Sequence, residues 1–154
     1  MSDQAPLPDF ELSATGAQRF QLSAFRGHPF VLYFYPRDDT PGCTDEGNQF
    51  RDLHPEFLKA KVAVFGISRD TVASHEKFKK KMGFPFELLS DPDEKVCSIF
   101  GVMKMKNMYG RQVRGIERST FAIDRQGRIA REWRPVKVPG HAQEVLDYVR
   151  TAGL

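Results

Sequence analysis

The sequence predicts an α/β fold: a mixed central sheet with helices on both faces and a β-hairpin in front of it. Three observations carry this prediction. Residues 29–35 and 61–68 are apolar runs of strand length with no polar face, the pattern of strands covered on both sides. Between them Phe50, Leu53, Phe57 and Leu58 recur at helical spacing, which completes a strand-helix-strand unit. Towards the end, residues 119–124 and 128–133 flank the turn Asp124-Arg125-Gln126-Gly127, and a helix follows.

Taken in order, residues 6–12 are extended and alternating after a short polar tail, Gly16 supplies a turn, and residues 19–22 return as a second short strand. Residues 23–27 read as a single turn ending at Gly27, and Pro36 stops the first buried strand because it brings no donor to a ladder. After the strand at 61–68, Asp70 or Thr71 caps a helix over 71–82 that Gly83 ends. Residues 84–91 read as a strand running into a turn, and 94–100 as a helix stopped by Gly101. Residues 102–117 show neither a strand nor a helix period; Met103, Met105 and Met108 lie there among lysines and arginines. The last helix begins near His141, with Val145, Leu146 and Val149 on one face.

Length and composition fit one domain spanning residues 1–154, a size that buries roughly 70% of its unfolded surface without a disulfide framework. With 40% hydrophobic, 12% aromatic and 28% charged residues, the chain falls among soluble globular proteins. The net charge of +3 is modest, and Lys79-Lys80-Lys81 lies in a helical segment, so a solvated face is expected there and no nucleic-acid partner. Two cysteines and no apolar amino-terminal region point to a reducing compartment, the cytoplasm, and to no membrane association.

The chemistry concentrates in Tyr35-Pro36-Arg37-Asp38-Asp39-Thr40-Pro41-Gly42-Cys43-Thr44-Asp45-Glu46, where a strand end delivers a cysteine to a helix start. Unpaired N–H groups and the positive end of the helix dipole favour an anion there, and the thiolate is the nucleophilic form of cysteine. A small core cysteine is the alternative. Against it stands the spacing P-x-x-x-T-x-x-C made by Pro36, Thr40 and Cys43.

This pattern resembles the active-site loop of the peroxiredoxins, and Thr40 to Thr44 with Glu46 is similar to the subfamily named after bacterioferritin comigratory protein, or peroxiredoxin Q. The resemblance runs from Pro8 to about Val149 and implies a thioredoxin-like fold. It implies that Arg118, in Arg118-Ser119-Thr120-Phe121, brings its guanidinium to the Cys43 thiolate and that Glu46 orients it. A fixed cation there stabilises charge moving from sulfur to the leaving oxygen. Thr40 and the Cys43 N–H are expected to orient a hydroperoxide, while Pro36 walls the pocket against water. The implied reaction is attack of Cys43 on the peroxide to give a sulfenic acid, with no metal, flavin or haem. The resemblance also makes a monomer the expected state.

Other chemistries leave weaker marks. A dithiol oxidoreductase wants Cys-x-x-Cys, and the fourth position is Glu46. A cysteine hydrolase wants a histidine base; His28, His54, His75 and His141 are available, but no spacing directs them to the thiol, and surface or interface positions are expected for them. A binding module with an idle cysteine is a third reading. Where relatives carry a resolving cysteine, this chain has Asn48 or Lys79. Cys97, in a helix packed by Val96 and Phe100, is expected in the core, whereas Gly47 and Asn48 are weak helix formers that lower the cost of unwinding around Cys43. The expectation is a one-cysteine cycle closed by an external thiol, either glutathione-like or a thioredoxin- or glutaredoxin-like protein. The alternative is a two-cysteine cycle through Cys97.

Overall fold

A computed structural model of the protein describes residues 5–154, so the first residues of the polar tail lie outside the described part. Strands β1 (Glu11–Ala14), β2 (Gln18–Gln21), β3 (Phe30–Phe34), β4 (Ala63–Ser68), β5 (Leu88–Ser90), β8 (Ser119–Ile123) and β9 (Ile129–Trp133) form one sheet in the order β2-β1-β5-β4-β3-β8-β9. Helices α1 (Pro41–Lys59), α2 (Val72–Met82), α3 (Lys95–Phe100) and α4 (His141–Thr151) pack on it, and β6 (Met103–Met108) pairs with β7 (Arg111–Ile116) as a separate ribbon. The sheet is mixed as expected: β3 runs parallel to β4 and antiparallel to β8, and β1 and β2 form the leading hairpin.

The central strand β3 is buried along its whole length because it feeds two cores. Phe30, Leu32 and Phe34 point into one, with Val96, Cys97 and Phe100 of α3 and the hairpin residues Leu12 and Phe20. Val31, Tyr33 and Tyr35 point into the other, with Cys43, Phe50 and Phe57 of α1, Phe78 of α2 and Val145 and Leu146 of α4. Successive side chains of a strand alternate between faces, so the sheet itself separates the two cores. Each phenyl-sized group buried in them contributes on the order of 2 kcal/mol.

Two sequence expectations change. The segment 102–117 is the β6–β7 hairpin, closed by Tyr109 (φ 53°) and Gly110 (φ 76°), the two positive-φ positions that a two-residue hairpin turn needs. Its strands lack a period because most of the ribbon faces solvent; only its base, where Ile116 is buried opposite Met103, enters a core. Residues 84–87 are not strand: Phe84 and Phe86 instead stack on each other beneath α1 and α2. Gly47 also answers to packing, since a Cβ there would come within 2.4 Å of the Phe84 ring.

Candidate active site

Strand β3 ends at Phe34, and Tyr35 still donates its N–H to the Ile67 carbonyl at 3.0 Å before Pro36 turns the chain away. Thr40 sits at the N-cap of α1 in extended conformation, and Pro41 opens the helix with a φ that suits its first turn. Thr44 makes the first intrahelical bond, its N–H donating to the Thr40 carbonyl at 2.8 Å. The N–H groups of Gly42 and Cys43 therefore belong to the unpaired donors of the first turn.

The register of the sheet explains how a residue far along the chain reaches this turn. Ser119 pairs with Phe34 across the antiparallel β3–β8 ladder, so Arg118 stands beside the end of β3, where the chain leaves for α1. Its Nη2 donates to Cys43 Sγ at 3.4 Å and its Nη1 to Glu46 Oε1 at 2.6 Å. Cys43 and Glu46, three positions apart on α1, lie on one helix face and hold the two arms of one guanidinium. Gly42 leaves room for it, because a Cβ there would lie 3.1 Å from Nη2.

The cluster is dry. Cys43 is 2% exposed, the Glu46 side chain 1% and the Arg118 side chain 17%. Burial pushes the Glu46 carboxyl up to about 7, with the Arg118 charge and hydrogen bond opposing part of that rise. For Arg118, burial opposes the charge most strongly, yet Glu46 and Cys43 outweigh it and raise the guanidinium above its ordinary range. Tyr33 lies beneath, its phenol driven well up by burial and then by the charges of Glu46 and Cys43. Lys106 on β6 adds a second cation to the surroundings, lowered by burial and by Arg118.

Of the expected site residues, the structure brings Cys43, Glu46 and Arg118 into direct contact. Thr40 lies on the same turn, but its hydroxyl donates to the Arg37 carbonyl at 3.0 Å, which leaves its lone pairs free to accept. Pro36 is half-buried at the start of the loop. Cys97 is fully buried in the opposite core, its thiol raised by burial and then by the hydrogen bond to Asp91. The histidines need correction. His28 is exposed, but His54, His75 and His141 are buried, not at the surface. His141 contacts Thr120 Oγ1 at 2.8 Å, and burial followed by Arg118 holds it down to about 4, a neutral ring inside the fold. His75 pairs with Asp38, and the side-chain donor to Cys43 Sγ is Arg118 rather than a histidine.

Asp38, Asp70 and His75 bring ligand-type atoms within 4.8 Å of one another, and each is already engaged in hydrogen bonds. Lys79 and Lys81 of the basic run pair with Glu87 and Asp39, in keeping with a solvated face.

Comparison with known proteins gives the family of the chain. The AhpC/TSA family model matches residues 3–132. Peroxiredoxin Bcp of Xanthomonas campestris is 54% identical over 138 residues, covering 90% of this chain and 86% of that protein. Peroxiredoxin Bcp of Bacillus subtilis is 45% identical over 143 residues, covering 93% and 91%. A solved structure of Xanthomonas campestris peroxiredoxin Q superposes with a TM-score of 0.90 at 50% identity, over 94% of this chain and 92% of that one. The fold is thus thioredoxin-like, with the arginine-held cysteine at the strand-helix junction, and the chain belongs to the AhpC/TSA family as a thiol peroxidase of the Bcp, or peroxiredoxin Q, group.

Proposed function

We propose that Cys43 is the peroxidatic residue and that Thr40, Arg118, Glu46 and Pro36 form its site. The observation that carries this reading is the 3.4 Å contact between Cys43 Sγ and Arg118 Nη2, with Glu46 fixing the other arm. The Cys43 thiolate attacks the terminal oxygen of a hydroperoxide. The S–O bond forms as the O–O bond breaks, sulfur is oxidised to sulfenic acid, and the departing alkoxide or hydroxide takes a proton to leave as alcohol or water. Arg118 and the Cys43 N–H donate to the peroxide oxygens, while Thr40 Oγ1, its own proton given to Arg37, accepts from the peroxide O–H. Pro36 screens the loop from water. The bacterioferritin comigratory protein of Xanthomonas campestris, solved as trapped intermediate and ligand complexes, has alkyl peroxide reduction activity, which supports organic hydroperoxides alongside hydrogen peroxide as substrates here.

A one-cysteine cycle closes the reaction. Asn48 and Lys79 stand where resolving cysteines are expected, and Cys97 lies across the sheet from Cys43. A disulfide needs Cα atoms within about 7 Å, so α3 would have to leave its core for Cys97 to reach the sulfenic acid. An external thiol, small like glutathione or carried by a thioredoxin- or glutaredoxin-like protein, forms a mixed disulfide with Cys43 and a second thiol releases it. Such a cycle suits a cytoplasmic, reducing compartment, and a monomer suffices for it. The test is peroxide consumption by Cys43→Ser. The variant keeps the side-chain size but not an ionisable sulfur, so turnover is lost with the fold intact; substantial residual turnover removes Cys43 from the reaction.

A further inference from the structure

The loop that carries Pro36 and Thr40 is anchored by one carboxylate. Asp38 Oδ1 accepts from Tyr35 Oη at 2.6 Å, and Oδ2 from Ser74 Oγ at 2.7 Å. His75 Nδ1 lies 2.7 Å from Oδ2 and 3.0 Å from Oδ1. The Asp38 backbone N–H donates to Asp70 Oδ2 at 2.9 Å, and Asp70 is itself held by Ser68 Oγ at 2.5 Å. The far side of His75 is tied to β5, where Nε2 meets the Leu89 carbonyl at 2.8 Å. A carbonyl can only accept, so Nε2 carries a proton, and the short contact between Nδ1 and Asp38 needs another. His75 is 0% exposed, as befits a group with both nitrogens satisfied.

The end of β3, the β4–α2 turn and α2 thus converge on one residue of the loop, and β5 backs them through His75. Asp38 lies between Arg37, whose carbonyl receives the Thr40 hydroxyl, and Asp39, held at φ 59°, where a non-glycine residue is under strain. That strain persists only if the neighbours fix the loop. We propose that His75 and Asp38 are positioning residues for peroxide attack: through the loop they set where Thr40 Oγ1 and the Cys43 N–H meet the peroxide, without touching it. This rests on Thr40 and the Cys43 N–H being the groups that orient the peroxide. Misplacing such groups by about an ångström is enough to cost on the order of a hundredfold in rate.

The test compares two rates for Cys43: oxidation by hydrogen peroxide, which needs the orienting groups, and alkylation by iodoacetamide, which reports the sulfur alone. His75→Asn places an amide N–H where Nδ1 stands and keeps the bond to Asp38. His75→Gln places one where Nε2 stands, keeping Leu89 and abandoning Asp38. Oxidation is expected to fall at least about tenfold in His75→Gln, with alkylation within about twofold of wild type, and to recover in His75→Asn. Wild-type oxidation in His75→Gln, a parallel fall in both rates, or equal losses in the two variants would each overturn the proposal. Where His75→Gln does not fold, Ser74→Ala removes another donor to Asp38 at a half-buried helix position. There the ratio of oxidation to alkylation is expected to drop, and an unchanged ratio overturns the proposal. Thr40→Val separates the premises: if it oxidises at the wild-type rate, the orienting role of Thr40 fails, whereas a slow Thr40→Val beside a normal His75→Gln refutes only the positioning.

Discussion

One methyl group at Gly42 tests the electrostatics of the site. Its carbon would lie 3.1 Å from Arg118 Nη2, so Gly42→Ala displaces the guanidinium while adding a residue that favours helix. Oxidation of Cys43 is expected to slow towards the loss in Arg118→Ala, roughly two orders of magnitude for one positioned donor, with the melting temperature held. A stopped-flow rate equal to wild type in both variants removes Arg118 from the chemistry. Glu46 gives a pH signature. Its carboxyl titrates near 7 in the fold against 4.5 for its ordinary value, so the folded protein holds an extra proton between them. The stability from that proton is full below 4.5 and is lost as pH rises through 7. Relative to Glu46→Gln, wild type is expected to lose up to roughly 3 kcal/mol across that window, read by denaturant melts at several pH values. A pH-independent difference contradicts the burial argument. His141 contributes in the opposite sense: held down to about 4, it withdraws stability as pH falls below its ordinary 6.5. At this scale the spacing of Pro36, Thr40 and Cys43 marked the strand-helix junction, whereas the pairing of Glu46 was expected only from the resemblance. Arg118 was legible only through resemblance, because the β3–β8 register, not sequence distance, brings it to the thiol. The anchoring of Asp38 by His75 left no local signal, since the partners of Asp38 come from three separate segments.

Helix α1 shows how an element is shaped by what it must pass. Gly47 looks like a weak point in a helix, yet its missing side chain admits the Phe84 ring. Gly47→Ala gains about 1 kcal/mol of helix propensity and is expected to lose roughly 1–3 kcal/mol to overpacking, so the variant melts at lower denaturant. A more stable variant shows that the ring yields freely. Pro55 sits inside α1, where it cannot donate to the carbonyl four residues back, although the helix continues to Lys59. Phe50 and Phe57, buried on either side of it, keep the helix seated on the sheet. The elements with a buried face, β3, β4, β8 and α4, were readable from hydrophobic pattern. The β6–β7 ribbon was not, because the packing that creates a period is absent over most of it and its Tyr-Gly turn lacks the usual Asn-Gly or Asp-Gly mark.

For the whole molecule, the decisive feature is the sheet between two cores. It places Cys43 with α1 and α4, and Cys97 with α3 and the leading hairpin, so the two thiols belong to different halves of the packing. Order along the chain could not reveal this, because the alternation of β3 decides which face each helix covers. No helix among the described residues is long and apolar enough to cross a membrane. The proposed cycle turns on one step: peroxide oxidises Cys43 to a sulfenic acid that Cys97 does not resolve. Intact mass spectrometry after one equivalent of hydrogen peroxide tests it directly, on wild type, Cys43→Ser and Cys97→Ser. One added oxygen is expected in wild type and in Cys97→Ser, none in Cys43→Ser, and continued turnover of Cys97→Ser with an external thiol. A wild-type product lighter by two hydrogens, the mass of a Cys43–Cys97 disulfide, together with loss of turnover in Cys97→Ser, would contradict it.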